Sequence, residues 1–474
     1  MKTFNPITIS CFKAYDVRGE LDVNLDSVIV YRIGRAFAQY LNYGQKNHGQ
    51  KNSVIVVGAD IRSSSNSLKQ SVIDGITDAG VDVIDLGMVG TEEVYFATSH
   101  YNAIGGIEVT ASHNPINYNG LKMVREKSRP ISADTGLADI RTIAERGEFV
   151  VADKGGVTLN TDKTAYIDKL MSFIDTSKFR PKKIVVNSGN GSAGPVVDEL
   201  ERRLGNDIEL IKVHHTPDGS FPNGIPNPMI VANQQATSDA VIAHKADFGV
   251  AFDGDFDRCF LFDENGRFIE GSYIVGMLAE VFLKQHQGKG IVYDPRVIYN
   301  TEYVIAQNGG QPIISKSGHS FIKQVMRETG AIYGGEMSAH HYFKDFFYCD
   351  SGMIVWLLVI ELLSVTGKTL SKLVNGYIHN FPSSGELNFR LGQKSAREIG
   401  EHLEQKYSSS NPIKNTLDGL SLDFGNWRFN LRSSNTEPLI RLNIETKGDK
   451  ALLQSKIDEI LAILAACGAM SADH

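Results

Sequence analysis

Apolar positions in this chain fall into short runs closed by glycine, aspartate or asparagine. Residues 53–58, 183–189 and 289–294 are brief β-branched stretches of this kind, the pattern of a strand buried on both faces of a parallel sheet. Helix-period stretches follow, as at 68–79 and 194–204. Second strands are predicted at 81–86, 208–213 and 311–315, and third strands at 106–109, 248–252 and 331–333. Polar loops come after the second strands, at 90–92, 214–217 and 317–320, and after the third, at 110–115, 253–258 and 335–340. One strand-helix-strand-helix-strand plan therefore occurs three times, as a repeat of pattern and not of identity. Ligand sites in open α/β sheets lie beyond the carboxyl ends of the strands, so the three loop sets are predicted to face a shared cleft.

The chain changes character near Phe381. Strands are predicted at 387–391, 421–424, 427–430 and 439–446, and an amphipathic helix at 451–464. This is a smaller α+β domain that lends the polar loop 432–436 to the cleft, with residues 467–474 frayed. The fold class predicted is thus α/β: three topologically similar α/β domains with mixed sheets and a C-terminal α+β domain, around a central cleft. The boundaries read 1–156, 157–264, 265–379 and 380–474. At 474 residues, a prior of roughly 150 residues per domain allows three domains and room for a smaller fourth.

Composition narrows the class. Lys and Arg total 48 against 55 Asp and Glu, a formal charge of −7, which disfavours a general nucleic-acid binder because phosphate-backbone affinity needs excess positive charge. Cys11, Cys259, Cys349 and Cys467 form no CxxC pair, so neither a disulfide scaffold nor a zinc ribbon is predicted. The most hydrophobic stretch, 353–360, is interrupted by Glu361 and falls short of the roughly 18 apolar residues of a membrane span; it reads as a buried helix. Residues 1–12 lack a signal-peptide core, and the compartment expected is the cytoplasm.

Three third-strand loops hold the candidate chemistry. Asp253, Asp255 and Asp257 alternate along a turn that Gly254 lets curl, and three converging carboxylates repel unless a cation screens them. Oxygen ligands favour Mg²⁺ or Ca²⁺. A solvated acidic turn is the bland alternative, and an EF-hand fails because Arg258 replaces the glycine that loop requires. Ser112 lies in Thr-Ala-Ser-His-Asn-Pro at 110–115. A free serine is a weak nucleophile, and His113, as its chain neighbour, is expected to point away, so no Ser-His dyad is read. Lys122 can act as a general base if burial or neighbouring cations lower its pKa, and Arg125 lies close to it in sequence. Lys13, Arg18, Arg62, Arg296, Lys316 and Arg432 recur at strand ends among small polar residues, the composition of phosphate-binding loops. Singly each is an ordinary surface charge; together with a metal loop and a serine loop they point to phosphoryl transfer. No P-loop sequence is present, so ATP is not the expected donor.

Five segments resemble the α-D-phosphohexomutase family in family order, and among its branches the bacterial phosphomannomutases: 12–19, 110–115, 253–258, 335–340 and 432–436. The resemblance spans essentially the whole chain. It implies that Ser112 is carried as a phosphoserine completing a Mg²⁺ site with Asp253, Asp255 and Asp257. It implies that Lys122 is a general acid/base, that Arg18 and Arg258 neutralise charge during transfer, and that His319 or His340 assists proton transfer. Glu336 and Ser338 match residues that bind sugar hydroxyls; Arg432, Ser434, Asn435 and Thr436 match those that hold the non-reacting phosphate. Arg296 stands where relatives often have lysine and is assigned to the distal phosphate or a hydroxyl. Ala339 stands where many dual-specificity relatives have glycine.

The activity implied is interconversion of a hexose 6-phosphate and a hexose 1-phosphate through a hexose 1,6-bisphosphate, with mannose ahead of glucose. The partners expected are hexose phosphates, with no nucleic acid and no membrane, in a monomer or homodimer. The rivals are a phosphoglucomutase or dual-specificity mutase, a metal-dependent phosphatase and a non-catalytic sugar-phosphate sensor. The sensor would be expected to have lost Ser112, Lys122 or one of the three aspartates, and none is lost.

Overall fold

A computed structural model describes residues 2–44, 53–392, 394–433 and 439–472. The chain divides into two compact units, one of Met1–Phe268 with Asp345–Gly367, the other of Ile269–Lys344 with Lys368–His474.

The β-branched runs form sheets of one repeated topology. In the first, Asp82–Met88, Val54–Ala59, Gly105–Val109 and Tyr118–Arg125 lie side by side in that order, the first three parallel and the last antiparallel. The second repeats this with Ile208–Val213, Lys182–Asn187, Phe248–Phe252 and Cys259–Phe262. The third does so with Gln311–Ile314, Gly290–Tyr293, Tyr333–Gly335 and His341–Phe343. The threefold pattern holds, and each copy adds an antiparallel fourth strand beyond the expected third. That strand begins where each third-strand loop ends, so the loop is pinned at both ends to one sheet.

The crossover helices cover the sheets. Ser65–Asp78 packs on Ser27–Gln39, which is capped by Asp26 accepting from the Ile29 amide at 2.8 Å. The contact is close because a methyl on Gly75 would lie 2.2 Å from the Tyr31 carbonyl oxygen, and one on Gly34 2.6 Å from that of Val72. Thr91–His100, Val231–His244 and His319–Thr329 are the helices between second and third strands.

Two expectations are corrected. The third strand of the third repeat lies at Tyr333–Gly335, two residues later than predicted, through glycines that are poor strand formers. Packing selects them: a methyl on Gly335 would meet Val275 at 2.5 Å and one on Gly334 would meet Met326 at 2.8 Å. The stretch at 353–360 is the buried helix expected of it, Gly352–Thr366, and Glu361 within it accepts from Lys178 Nζ and the Asp175 amide, both at 2.9 Å. Among the described residues no single helix is long and apolar enough to cross a membrane. The four cysteines are free and buried.

The C-terminal part is an antiparallel sheet in the order Ile413–Asn415, Leu420–Asp423, Trp427–Ser433, Leu439–Thr446, Leu387–Arg390, Met470–Ser471, with helices Ala396–Tyr407 and Lys450–Ala466. The second correction lies here. The tail expected to fray instead pairs Ser471 with Phe389 and Met470 with Arg390, and the Ala472 amide donates to the Asn388 carbonyl at 2.9 Å.

Glu270, just ahead of helix Gly271–Gln285, has its Oε2 enclosed with no hydrogen-bond partner among the described residues. Burial, with the nearby Glu445 carboxylate acting the same way, pushes its pKa up to about 7. The folded chain therefore holds a proton here that the unfolded chain releases above about pH 4.5, and stability drops as pH rises from there toward 7. Thermal melts of Glu270→Gln across pH 4.5–7.5 should show a shallower loss than the parent chain; identical profiles would remove Glu270 from the account.

Candidate active site

The serine loop and the acidic loop leave third strands of the first two repeats, and both lie in the first unit. Ser112 is 4% exposed, with φ of +49°. A left-handed L-residue costs roughly 1–2 kcal/mol, so the neighbours must hold it. Its amide donates to Thr110 Oγ1 at 2.8 Å, and its hydroxyl donates to Asp253 Oδ2 at 2.7 Å. The same twist brings His113 Nδ1 to 3.0 Å from Ser112 Oγ, so the two side chains do not point apart as expected. Arg258 donates to His113 Nδ1, which makes that nitrogen an acceptor. Loss of water around the ring, then the charges of Arg258 and Arg18, press the His113 pKa well below its ordinary value.

Asp253, Asp255 and Asp257 are buried, and one carboxylate oxygen from each lies within 4.8 Å of the others. The curl assigned to Gly254 sits instead on Phe256, at φ +46°. Glycine at 254 serves close approach: a methyl there would lie 2.6 Å from the Ser112 carbonyl oxygen. Lys122, 8% exposed, donates to Asp255 Oδ2 at 2.6 Å and to Asp257 Oδ2; Thr91 Oγ1 also donates to Asp255 Oδ2 at 2.6 Å. Arg258 Nε donates to Asp253 Oδ2 at 2.8 Å. Burial opposes the ammonium form of Lys122, yet the charges of Asp255, Asp257 and Asp253 outweigh it and raise its pKa. Lys122 is thus protonated at neutral pH, and the lowered pKa that would suit a base is not its state here. Burial likewise works against the Asp255 carboxylate, but the Lys122 charge and the Lys122 and Thr91 hydrogen bonds hold its pKa well below the usual range. Three carboxylates face two cations, and Asp255 Oδ1 has no hydrogen-bond donor among the described residues. An all-oxygen set with an unsatisfied buried atom fits a hard divalent cation.

Arg18 joins the serine loop through Asn114 Oδ1, at 2.8 Å, and is held by Asp16 at 2.8 Å. Lys13 and Lys316 are exposed side chains. Arg62 is buried and gives its guanidinium to loop carbonyls, so it is not a surface cation awaiting phosphate.

The second unit gathers another set. Arg296 Nη2 donates to Glu336 Oε1 at 3.3 Å and Ser338 Oγ at 3.2 Å, and its Nε to Asp294 Oδ1 at 2.8 Å. Tyr342 and the Gly318 amide also donate to Glu336. His319 opens the helix after Gly318, and His340 stacks on Tyr342 with ring centroids 6.1 Å apart. Arg432 ends up on strand Trp427–Ser433, not in a loop, and shares Glu386 with Arg441, each at 3.2 Å. Ser434, Asn435 and Thr436 lie outside the described residues. Sequence reasoning passed over Thr91, Asp60, Asp294, Glu386, Arg441 and Tyr342. Asp60 and Asp294 carried a signal, an aspartate two places before an arginine at the end of a repeat's first strand. Thr91 lay in the polar loop 90–92 after a second strand, and the others had no signal.

Profiles of the phosphoglucomutase/phosphomannomutase family match in order: α/β/α domain I at residues 10–151, domain II at 164–266, domain III at 270–381 and the C-terminal domain at 386–463. A phosphomannomutase of Salmonella montevideo is 54% identical over 462 residues, covering 96% of this chain and 99% of that one. A phosphomannomutase of Vibrio cholerae is also 54% identical, over 461 residues, covering 96% and 98%. Among solved structures, a phosphoglucomutase/phosphomannomutase family protein from Burkholderia thailandensis superposes with a TM-score of 0.85 at 32% identity, covering 98% of both chains. With all four domains matched and relatives more than half identical along nearly its whole length, the chain belongs to the phosphoglucomutase/phosphomannomutase family.

Proposed function

We propose that the protein is a phosphomannomutase, interconverting mannose 6-phosphate and mannose 1-phosphate through a phosphoserine at Ser112 and a hexose 1,6-bisphosphate. The observation that carries this reading is the Ser112 hydroxyl 2.7 Å from Asp253, inside a buried group of three carboxylates and two cations. The names of its phosphomannomutase relatives supply the sugar.

In the first transfer the phosphoryl group leaves Ser112 Oγ for a free hydroxyl of the sugar phosphate. The P–Oγ bond breaks, a new P–O bond forms, and the sugar hydroxyl gives up its proton. Lys122, protonated by its carboxylate neighbours, supplies a proton to Oγ, and His319 or His340 accepts the one from the sugar. Arg18 and Arg258 offset the charge of the transferring group. The bisphosphate then returns its other phosphoryl group to Ser112 by the reverse proton movements. A Mg²⁺ ion held by Asp253, Asp255, Asp257 and an oxygen on Ser112 would supply positive charge beside the transferring phosphoryl group.

Sugar hydroxyls are assigned to Glu336 and Ser338, whose positions Arg296, Tyr342 and the Gly318 amide fix. The phosphate that does not react is assigned to Arg432 with Ser434, Asn435 and Thr436. Among the described residues the buried Arg432 Nε has no hydrogen-bond partner, which suits a group that receives an anion. Arg296 is assigned to the distal phosphate or a hydroxyl from the side not engaged by Asp294. The compartment proposed is the cytoplasm.

Ser112→Ala should bind hexose phosphate and show no turnover; substantial mutase activity would reject the phosphoserine. Asp255→Asn should raise the Mg²⁺ concentration for half-maximal rate by about tenfold or more and lower the rate; an unaltered metal response would place the ion elsewhere. In paired assays mannose 1-phosphate should give the higher kcat/KM than glucose 1-phosphate. Equal values would make the protein a dual-specificity mutase, and release of free phosphate without isomerisation would make it a phosphatase.

A further inference from the structure

Two of the three repeats share a device at the end of the first strand. Asp60 and Arg62 follow Val54–Ala59, and Asp294 and Arg296 follow Gly290–Tyr293. In each pair the arginine amide donates to its own aspartate Oδ1 at 2.9 Å. In each, the aspartate Oδ2 takes a hydrogen bond from the loop after the third strand: Thr110 Oγ1 at 2.7 Å in one, the Met337 amide at 2.8 Å in the other. In each, the arginine reaches across to that same loop. Arg62 Nη2 donates to the carbonyls of Ser112 at 2.9 Å and Asn114 at 2.6 Å, and Nη1 to those of Pro115 at 2.9 Å and Tyr118 at 3.2 Å. Arg296 reaches Glu336 and Ser338. Each loop holds a non-glycine residue at positive φ, Ser112 at +49° and Ala339 at +69°.

We infer that the Asp-x-Arg pair is a loop brace, and that Arg62, with Asp60, is a positioning residue that holds Ser112 in its left-handed conformation for phosphoryl transfer. The role rests on the phosphoserine reading above. Arg62 touches neither the serine hydroxyl nor the acidic loop; both Nη atoms are committed to carbonyls. The Phe221 ring packs on the guanidinium, 5.5 Å from centroid to Cζ, and Arg62 is 2% exposed. Such a fork cannot be replaced by a lysine, which offers a point charge and no planar pair of donor edges. Its loss lets the strained loop relax and moves Oγ from Asp253. Misplacing a reacting atom by about 1 Å costs on the order of 10²-fold in rate.

The test is single-turnover transfer from enzyme phosphorylated at Ser112 to mannose 1-phosphate, beside equilibrium binding of that sugar phosphate and a thermal melt. Arg62→Lys should transfer about 10²-fold more slowly, with affinity within about threefold and a cooperative melt. A wild-type transfer rate in Arg62→Lys, with Ser112→Ala inactive, overturns the brace and leaves the mutase reading intact. Lost affinity at an unchanged transfer rate overturns it in favour of a phosphate-binding arginine. Mutase activity in Ser112→Ala overturns the reading on which the brace rests. If Arg62→Lys does not fold, Thr110→Val carries the test: it removes the bonds to Asp60 and to the Ser112 amide, and slowed transfer at unchanged affinity supports the brace while a wild-type rate sinks it. For the third repeat, Asp294→Asn should raise KM for mannose 1-phosphate without slowing hydrolysis of the Ser112 phosphoryl group; an unchanged KM would limit the brace to the first repeat.

Discussion

The candidate site of the first unit depends on keeping three carboxylates together out of water. At an effective dielectric near 20, two like charges about 4 Å apart repel by about 4 kcal/mol, so Asp253, Asp255 and Asp257 cannot share one loop without positive charge. Lys122 and Arg258 supply it, Lys122 to Asp255 and Asp257, Arg258 to Asp253. Two cations against three anions leave one negative charge uncancelled. A divalent ion would reverse that sign and make the site attractive to a phosphoryl group. The same balance explains why Lys122 is protonated in this state: its ammonium form neutralises the carboxylates, and burial alone would have had the opposite effect.

The second constraint is backbone strain. Each repeat ends its third strand in a loop with a non-glycine residue at positive φ, Ser112, Phe256 and Ala339. Such residues persist where the surroundings over-determine them. In the first two loops the strained turns go with contacts between repeats, Ser112 with Asp253 and Asp255 with Lys122. Gly254 shows how little slack remains, since any side chain there would strike the Ser112 carbonyl.

Much of this was legible in the sequence. The apolar runs at 54–59, 182–187 and 248–252 sit where the sequence pattern put them, because a strand buried on both faces leaves an apolar signature. The acidic triplet and Ser112 were visible because they interrupt those runs at strand ends. Other features were hidden for identifiable reasons. The contact of Ser112 with His113 depends on a φ value that no residue type announces. The strand at Tyr333–Gly335 is made of residues that local propensity rejects and tertiary packing selects. Glu386, Arg441 and Tyr342 are single polar residues in ordinary surroundings, and only the fold brings them to Arg432 and Glu336.

The second repeat shows why one topology needs different strand ends. Where the first and third have Asp-x-Arg, it has Asn187, Ser188 and Gly189. Its third-strand loop is held by neutral contacts, the Ser192 amide donating to the Gly254 carbonyl at 3.0 Å and Gly191 packing against Gly254 so closely that a methyl would lie 2.7 Å from that oxygen. A guanidinium in that place would bring a third cation to carboxylates already met by Lys122 and Arg258, and would compete with any metal for the same oxygens. A neutral brace leaves the acidic loop its residual negative charge. The repeats therefore diverge where their loops do: a guanidinium reaches the loops that carry Ser112 and Glu336, and neutral contacts at the same strand end meet the loop that carries three carboxylates.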